Sequence, residues 1–189
     1  NKNIVKLEYE KKFSKFLLLE KKRYCGLLSE MNGKQMEKMY YRGIEVIQKS
    51  TIEYTRNAME KLILSIFKAD WSAEEAKQYM IELKNDIMNS NIDKEEITIS
   101  KKVNKPINSY KTDLPHVRIA RKLIESKKMI DIVEEKNSWS QVKYIVIDSD
   151  KKQEIVSDEY IGKFDKYYYW IVQVFQPMKR ILEVVYHKI

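Results

Sequence analysis

One cysteine, two histidines, three prolines and four glycines are all that this 189-residue chain holds of those types, and each scarcity closes off a kind of chemistry. Cys25 alone cannot make an internal disulfide, and together with His116 and His187 it is too small a set for a structural zinc. Four isolated glycines leave no glycine-rich loop to cradle a phosphate. No run approaches the roughly 18 uninterrupted apolar residues of a membrane span, and no small-residue cleavage pattern marks a signal peptide. The expectation is a soluble, intracellular (cytoplasmic) chain with no membrane partner and no cofactor or metal of its own. It opens on Asn1, which reads as a fragment, a processed product or a trimmed form.

What is abundant is positive charge. Lys and Arg number 36 against 28 Asp and Glu, giving a net +8, which favours a polyanionic partner such as nucleic acid or an anionic membrane face. With 43% apolar residues the chain can bury a core of ordinary single-domain size. A membrane-surface helix would need a basic face opposite a wide apolar one, and Lys166, Lys179 and Arg180 are too few and too scattered for that.

Patterning along the chain predicts α+β architecture with helices dominant. "IVKLEYE", "FSKFLLLE" and "RYCGLL" read as strands over 4–28, with Lys11 and Lys12 at a turn. Ser29 to Tyr41 is polar, holds the turn pair Asn32-Gly33 and reads as a connection. Apolar residues at Ile44, Ile47, Tyr54, Ala58, Leu62 and Ile66 predict a long helix to Phe67. Ser72 and Glu75 form a capping box for a second helix running towards Asn89. "EITIS" at 96–100 predicts a strand, followed by a basic loop. Asp113 is the expected cap of a third helix with Pro115 in its first turn. "VKYIVID" predicts a strand, "SDKKQ" a turn, and a last helix runs from about Lys166 to Tyr186 with a kink at Pro177.

Catalytic constellations are thin. Asp148 and Asp150 after a hydrophobic strand have the form of a two-metal phosphoryl-transfer pair, yet Asp and Ser favour turns and Lys151 and Lys152 would neutralise the site. The turn is the expected reading. Cys25 has no base cued beside it, and no nucleophile elbow occurs. His116, opening a helix, is either an anion contact at a helix N-terminus or a histidine packed under a loop. Consecutive Tyr167, Tyr168 and Tyr169 must point in different directions, so core packing with one or two exposed rings is expected over a base-stacking platform.

There remain clusters of cations: Lys21, Lys22 and Arg23; Arg42; Lys101, Lys102 and Lys105; Lys111; Arg118, Arg121 and Lys122. A solvated face explains most such runs. Their recurrence at loop-to-helix junctions, beside aromatic and hydrogen-bonding residues, suits a nucleic-acid backbone.

Ordered short motifs carry a resemblance. "LEYE" at 7–10, ten residues, then "KKRY" at 21–24 resembles the palm element that ends in the Lys-Lys-x-Tyr motif of family B DNA polymerases. "RGIEVIQKS" at 42–50 is similar to the Lys/Arg-Gly-hydrophobic-Glu segment leading into the first long thumb helix, with Gln48, Lys49 and Ser50 where the family has Arg-Arg-Asp or Lys-Arg-Asp. "YKTDLPHVRIARKL" at 110–123 resembles the thumb motif Tyr-Lys-x-x-x-Pro-His-Val, "VKYIVI" the strand after it, and "YYWIVQVFQPMKRIL" at 168–182 the closing Tyr-Tyr-x-x-x-Gln helix. The chain departs in the insert "VEEKNSWSQ" and at Ile171 and Val172, where Glu and Asn are common.

The resemblance implies a helix-dominated thumb domain at 33–189, preceded at 1–32 by a small antiparallel β element from the end of the palm. It implies primer-template DNA as partner, with contacts at Lys21, Lys22, Arg23, Tyr24, Arg42, Gly43, Lys49, Lys111, His116, Arg118 and Arg121. It places the catalytic aspartates, and Mg2+ with them, in a palm portion that is not on this chain. The palm, fingers and exonuclease parts, in the same or a separate chain, are then partners, and the chain alone is inactive. A viral or archaeal enzyme is implied, including the small chain of a split archaeal one. The competing reading from the residues is a stand-alone basic nucleic-acid-binding module.

Overall fold

A computed structural model describes residues 10–126 and 140–186. The strand expected at 4–10 lies outside these residues except for Glu10, and so does most of the 133–141 insert.

Three strands, β1 (Lys11–Glu20), β2 (Arg23–Met31) and β3 (Lys34–Arg42), form an antiparallel meander in that order. Lys11 and Lys12 belong to β1 and not to a turn. Adjacent lysines look like a turn by polarity alone, but β1 is an edge strand, where lysine guards against pairing with another chain. Nor is Ser29 to Tyr41 a mere connection, since it holds the end of β2, the Asn32-Gly33 turn and nearly all of β3. Residues 34–38 are all exposed, so β3 lacks the alternation that marks a half-buried strand. Asn32 and Gly33 both take positive φ, 49° and 76°, the requirement of a two-residue hairpin turn. Position 33 therefore lies in a tight turn inside one sheet, which runs on to Arg42.

The helix expected from Ile44 is interrupted. Ile44 is buried from an extended conformation, Glu45–Ile47 make a single 3₁₀ turn, and α1 begins only at Glu53, running to Lys68. Helix α2 (Ala73–Asn89) carries the expected capping box, the Ser72 Oγ accepting from the Glu75 N–H at 3.3 Å and the Glu75 carboxylate from the Ser72 N–H at 2.7 Å. The strand expected at 96–100 starts later. A one-turn helix α3 (Lys94–Ile97) precedes β4 (Ile99–Val103), which takes in Lys101 and Lys102 from the expected loop.

Helix α4 (Pro115–Glu125) starts as its proline predicts, but its N-cap is Leu114. Asp113 is drawn instead into ion pairs with Arg118 and Lys152, at 3.0 and 3.3 Å, and leaves the helix uncapped by a side chain. β5 (Ser140–Asp148) and β6 (Gln153–Val156) join β4 in a second antiparallel sheet ordered β4-β5-β6, against which α4 packs.

The last helix is composite: α5 (Lys166–Tyr168), a π-helical stretch Tyr169–Phe175, and α6 (Gln176–Tyr186). Pro177 is the cause. It has no N–H for the Gln173 carbonyl four residues back, and the buried Thr55 hydroxyl of α1 donates to that carbonyl at 2.8 Å. Just before the proline the Gln176 N–H reaches five residues back, to the Ile171 carbonyl. Of the tyrosine run, Tyr169 is fully buried, Tyr168 half-buried and Tyr167 exposed. The core between the helices and the second sheet takes Met59, Leu62 and Ile63 from α1, Leu83 and Ile87 from α2, Val117 and Ile119 from α4, and Met178 and Ile181 from α6.

Candidate nucleic-acid interface

The first sheet turns one residue set inwards and another outwards. Leu17, Cys25 and Tyr41 are directly paired across β1, β2 and β3, and Leu17 and Cys25 join the core. Burial pushes the Cys25 thiol up to about 12, so it is an inert packing group. One residue along, the triples Leu18–Tyr24–Arg42 and Phe16–Gly26–Tyr40 face the other way.

That outer face is aromatic and cationic. Tyr24 lies 5.3 Å from Phe16 and 6.1 Å, stacked, from Tyr40, and Phe13 closes the group at 5.2 Å from Phe16. Arg42 sits over the Tyr24 ring and Lys11 over Tyr40, at 6.0 and 5.3 Å. Gly26 makes room: a Cβ there would lie 2.5 Å from the Phe13 ring and 2.8 Å from the Lys15 carbonyl. Phe16 and Leu18 nonetheless remain 51% and 54% exposed. Tyr24 and Arg42 are among the contacts that the resemblance implies, whereas Phe13, Phe16 and Tyr40 are not. Tyr40 follows the two-residue alternation of β3 with Arg42, and Phe16 that of β1 with Leu18, whereas Phe13, three residues before Phe16, reaches the same face only through the register shift between Phe13 and Lys15, which no periodicity reveals.

At one end of this face the β1–β2 turn presents Lys21 and Lys22, both exposed, between the paired residues Glu20 and Arg23. Lys22 has φ 67°, a left-handed conformation that glycine or asparagine favours. Arg23 does not present its charge outwards. Its guanidinium donates to Glu20 at 2.7 Å, to Glu45, and through Nε to the Gly43 carbonyl at 3.0 Å. Burial works against its charge, but the bonds to Glu20 and Glu45 outweigh it and hold Arg23 above its ordinary value. Gly43, at φ 66°, passes directly beneath the turn, where a Cβ would meet the Lys22 carbonyl at 2.3 Å. "KKRY" and "RGIE" are thus one spatial unit.

Lys49 lies elsewhere, on a polar cleft of about 340 Å³ of mixed charge, where Arg56, Lys94 and Lys143 stand beside Glu53, Glu95 and Asp158. Of the remaining candidates, Lys111 lies in the loop before α4 and His116, Arg118 and Arg121 lie in α4 itself. Lys111 and Arg121 are exposed. His116 meets the Tyr110 ring edge-on at 5.9 Å, and Lys105 stands over the same ring at 4.4 Å. Burial, and then the nearby Lys101 charge, lower the His116 pKa and favour its neutral form. Arg118 faces inwards, forked onto Glu154, whose side chain is 3% exposed, with its third nitrogen on Asp113. Like Arg23 it joins segments of the fold.

Asp148 accepts the Lys151 N–H at 3.0 Å and its ammonium at 2.8 Å, a turn arrangement as the spacing predicts. A carboxylate already neutralised in this way, beside an exposed Asp150, is a poor donor set for Mg2+. Among the described residues no three His, Cys, Asp or Glu side chains converge as a metal would need, and no described helix is long and apolar enough to cross a membrane.

The family model for DNA polymerase family B matches residues 1–185. The chain belongs to DNA polymerase family B. Among its relatives, the DNA polymerase delta catalytic subunit of Plasmodium falciparum is 29% identical over 188 residues, covering 96% of this chain and 16% of that protein. A DNA polymerase of Methanocaldococcus jannaschii is 27% identical, covering 96% and 10%. The catalytic subunit of Saimiriine herpesvirus 2 is 30% identical over 64% of this chain and 14% of its own. The fold is also that of part of the family B polymerase of Pyrobaculum calidifontis, with a TM-score of 0.67 at 23% identity, over 90% of this chain and 21% of that one. The chain therefore spans only a small fraction of the family B polymerases it matches. Those relatives are eukaryotic, archaeal and viral alike, so likeness does not favour one source.

Proposed function

We propose that this chain forms the end of the palm and the thumb of a family B DNA polymerase, and that it grips the primer-template duplex during template-directed synthesis. The observation that carries the reading is the exposed Lys21-Lys22 turn beside Tyr24 and Arg42, held rigidly from below by Gly43 and Glu45. Two ammonium groups on a tight turn suit phosphates, and the Tyr24 hydroxyl and the Arg42 fork suit the hydrogen-bond acceptors that every base pair offers in the minor groove. Such contacts are independent of sequence, as a polymerase requires. Lys49, Lys111, His116 and Arg121 extend the backbone contacts along the thumb, while Arg23, Gly43 and Arg118 shape the surface that carries them.

Nucleotidyl transfer, with the Mg2+ that supplies its electrostatic stabilisation, takes place on carboxylates of the palm outside this chain. The chain's own work is to bind the duplex and fix the primer terminus. The test is salt dependence in the intact enzyme. Each lysine that neutralises a phosphate contributes about 0.9 to the slope of log affinity against log salt, so Lys22→Ala should flatten the slope by about that much and weaken extension. Wild-type slope and extension in both Lys21→Ala and Lys22→Ala would refute the grip.

A further inference from the structure

We infer that Glu45 is a positioning residue that couples the closing helix α6 to the primer-facing turn, an inference that rests on the grip proposed above. Glu45 lies just past Gly43 with its side chain 12% exposed, and one of its oxygens accepts from two arginines at once. One is Arg23 Nη2, from the end of the Lys21-Lys22 turn. The other, at 3.1 Å, is Arg180 Nη1, from α6 and 135 residues further along the chain. The second carboxylate oxygen is buried and has no partner among the described residues.

The geometry of the guanidinium turns this cluster into a lever. Arg23 engages three groups along one rigid plane: Glu20 at 2.7 Å, the Gly43 carbonyl at 3.0 Å, and Glu45. Glu20 and Arg23 are the pair that closes the turn, so whatever fixes the Arg23 plane fixes the direction in which Lys21 and Lys22 project. Arg180, 47% exposed, donates to the same oxygen and so helps to hold the carboxylate where Arg23 meets it. A shift of α6 that draws Arg180 away therefore frees the Glu45 side chain to move, and loosens the hold on the turn. Neither arginine needs to touch DNA for this to operate.

The test compares Glu45→Gln, Arg180→Gln, their double variant and Lys22→Ala in the intact polymerase, by primer-template Kd, its salt slope and single-turnover extension. Expected for Glu45→Gln is a roughly 5–10-fold weaker primer-template Kd, within the usual range of coupling between sites. Its salt slope should not fall, because no phosphate-contacting cation has been removed, whereas Lys22→Ala loses about 0.9 of slope. Arg180→Gln should move Kd in the same direction by roughly 2–3-fold, Arg180→Lys should recover most of that loss, and the double variant should be no weaker than Glu45→Gln alone. Wild-type Kd in both single variants, or strictly additive effects in the double, would overturn the coupling. If Glu45→Gln does not fold, exposed Arg180 carries the test by itself. Failure of Lys21→Ala and Lys22→Ala to weaken binding would sink the grip, while their success beside wild-type Glu45 and Arg180 variants would sink only the coupling.

Discussion

Replacing Gly43 with alanine tests whether the Lys21-Lys22 turn rests on the segment beneath it. Two costs arise. Gly43 has φ 66°, where a Cβ crowds the following carbonyl and costs an L-residue about 1–2 kcal/mol. The added Cβ would also lie 2.3 Å from the Lys22 carbonyl and 3.2 Å from Arg23 Cγ, where ordinary contact begins at 3.4 Å. Backbone on both sides must then part by roughly 1 Å, and overpacking of this kind costs about 1–3 kcal/mol. Gly33→Ala is the internal control, since φ there is 76° and nothing lies within 4 Å of the added carbon. At about 2–4 °C per kcal/mol for a chain of this size, Gly33→Ala should lower Tm by about 2–8 °C and Gly43→Ala by about 4–20 °C, the excess being the clash. Thermal unfolding followed by circular dichroism reads the difference. Primer-template affinity should fall only for Gly43→Ala, because only there is the Lys22 carbonyl displaced. Equal Tm losses for the two variants, or undiminished primer affinity in Gly43→Ala, would refute the reasoning.

Thr55→Val removes the hydroxyl that serves the Gln173 carbonyl opposite Pro177, and by the usual cost of a buried unmet acceptor it should destabilise by about 1–3 kcal/mol in urea titration. In a Pro177→Ala background, where an N–H becomes available to that carbonyl, the same change should cost less. His116, with its pKa lowered on folding, binds its proton more readily when unfolded, so the wild type should lose stability as pH falls through the ordinary histidine value towards the folded one. His116→Gln should lack that part of the loss in Tm measured from pH about 7.5 to about 5. Near pH 7.5 the same substitution should leave the salt slope of primer binding unchanged, a neutral imidazole releasing no counterion.

Features set by neighbouring residues were legible in the sequence. The Asn32-Gly33 turn, the Ser72–Glu75 capping box, the Asp148–Lys151 turn, the Pro115 helix start and an irregularity of the last helix near Pro177 all follow from local backbone chemistry. What escaped depends on partners distant in the chain. Arg23 and Arg118 look like free cations in sequence, and nothing local reveals that Glu45 and Glu154, 22 and 36 residues later, hold them. Asp113 has the form of a helix cap, but Arg118 and Lys152 compete for its carboxylate more strongly than a backbone N–H does. β3 is hidden in the sequence because its tip is solvated on both faces, and the register that gathers Phe13, Phe16, Tyr24 and Tyr40 is hidden with it. The family motifs fared better than the charge pattern because they specify order and spacing, and "KKRY" and "RGIE" do meet in space.

Lys22 occupies a left-handed position at the second place of its turn, where a lysine costs on the order of 1 kcal/mol relative to glycine. Stability and grip consequently pull this residue in opposite directions. A programme that improved the chain only for thermal resistance would find Lys22→Gly an attractive change, relieving strain at an exposed site with no buried contact to lose. The same change would remove one of the two cations proposed to hold the primer. Under the proposed grip, residue 22 thus keeps a less comfortable backbone for the sake of its charge, and heat tolerance is a misleading guide to improving it there.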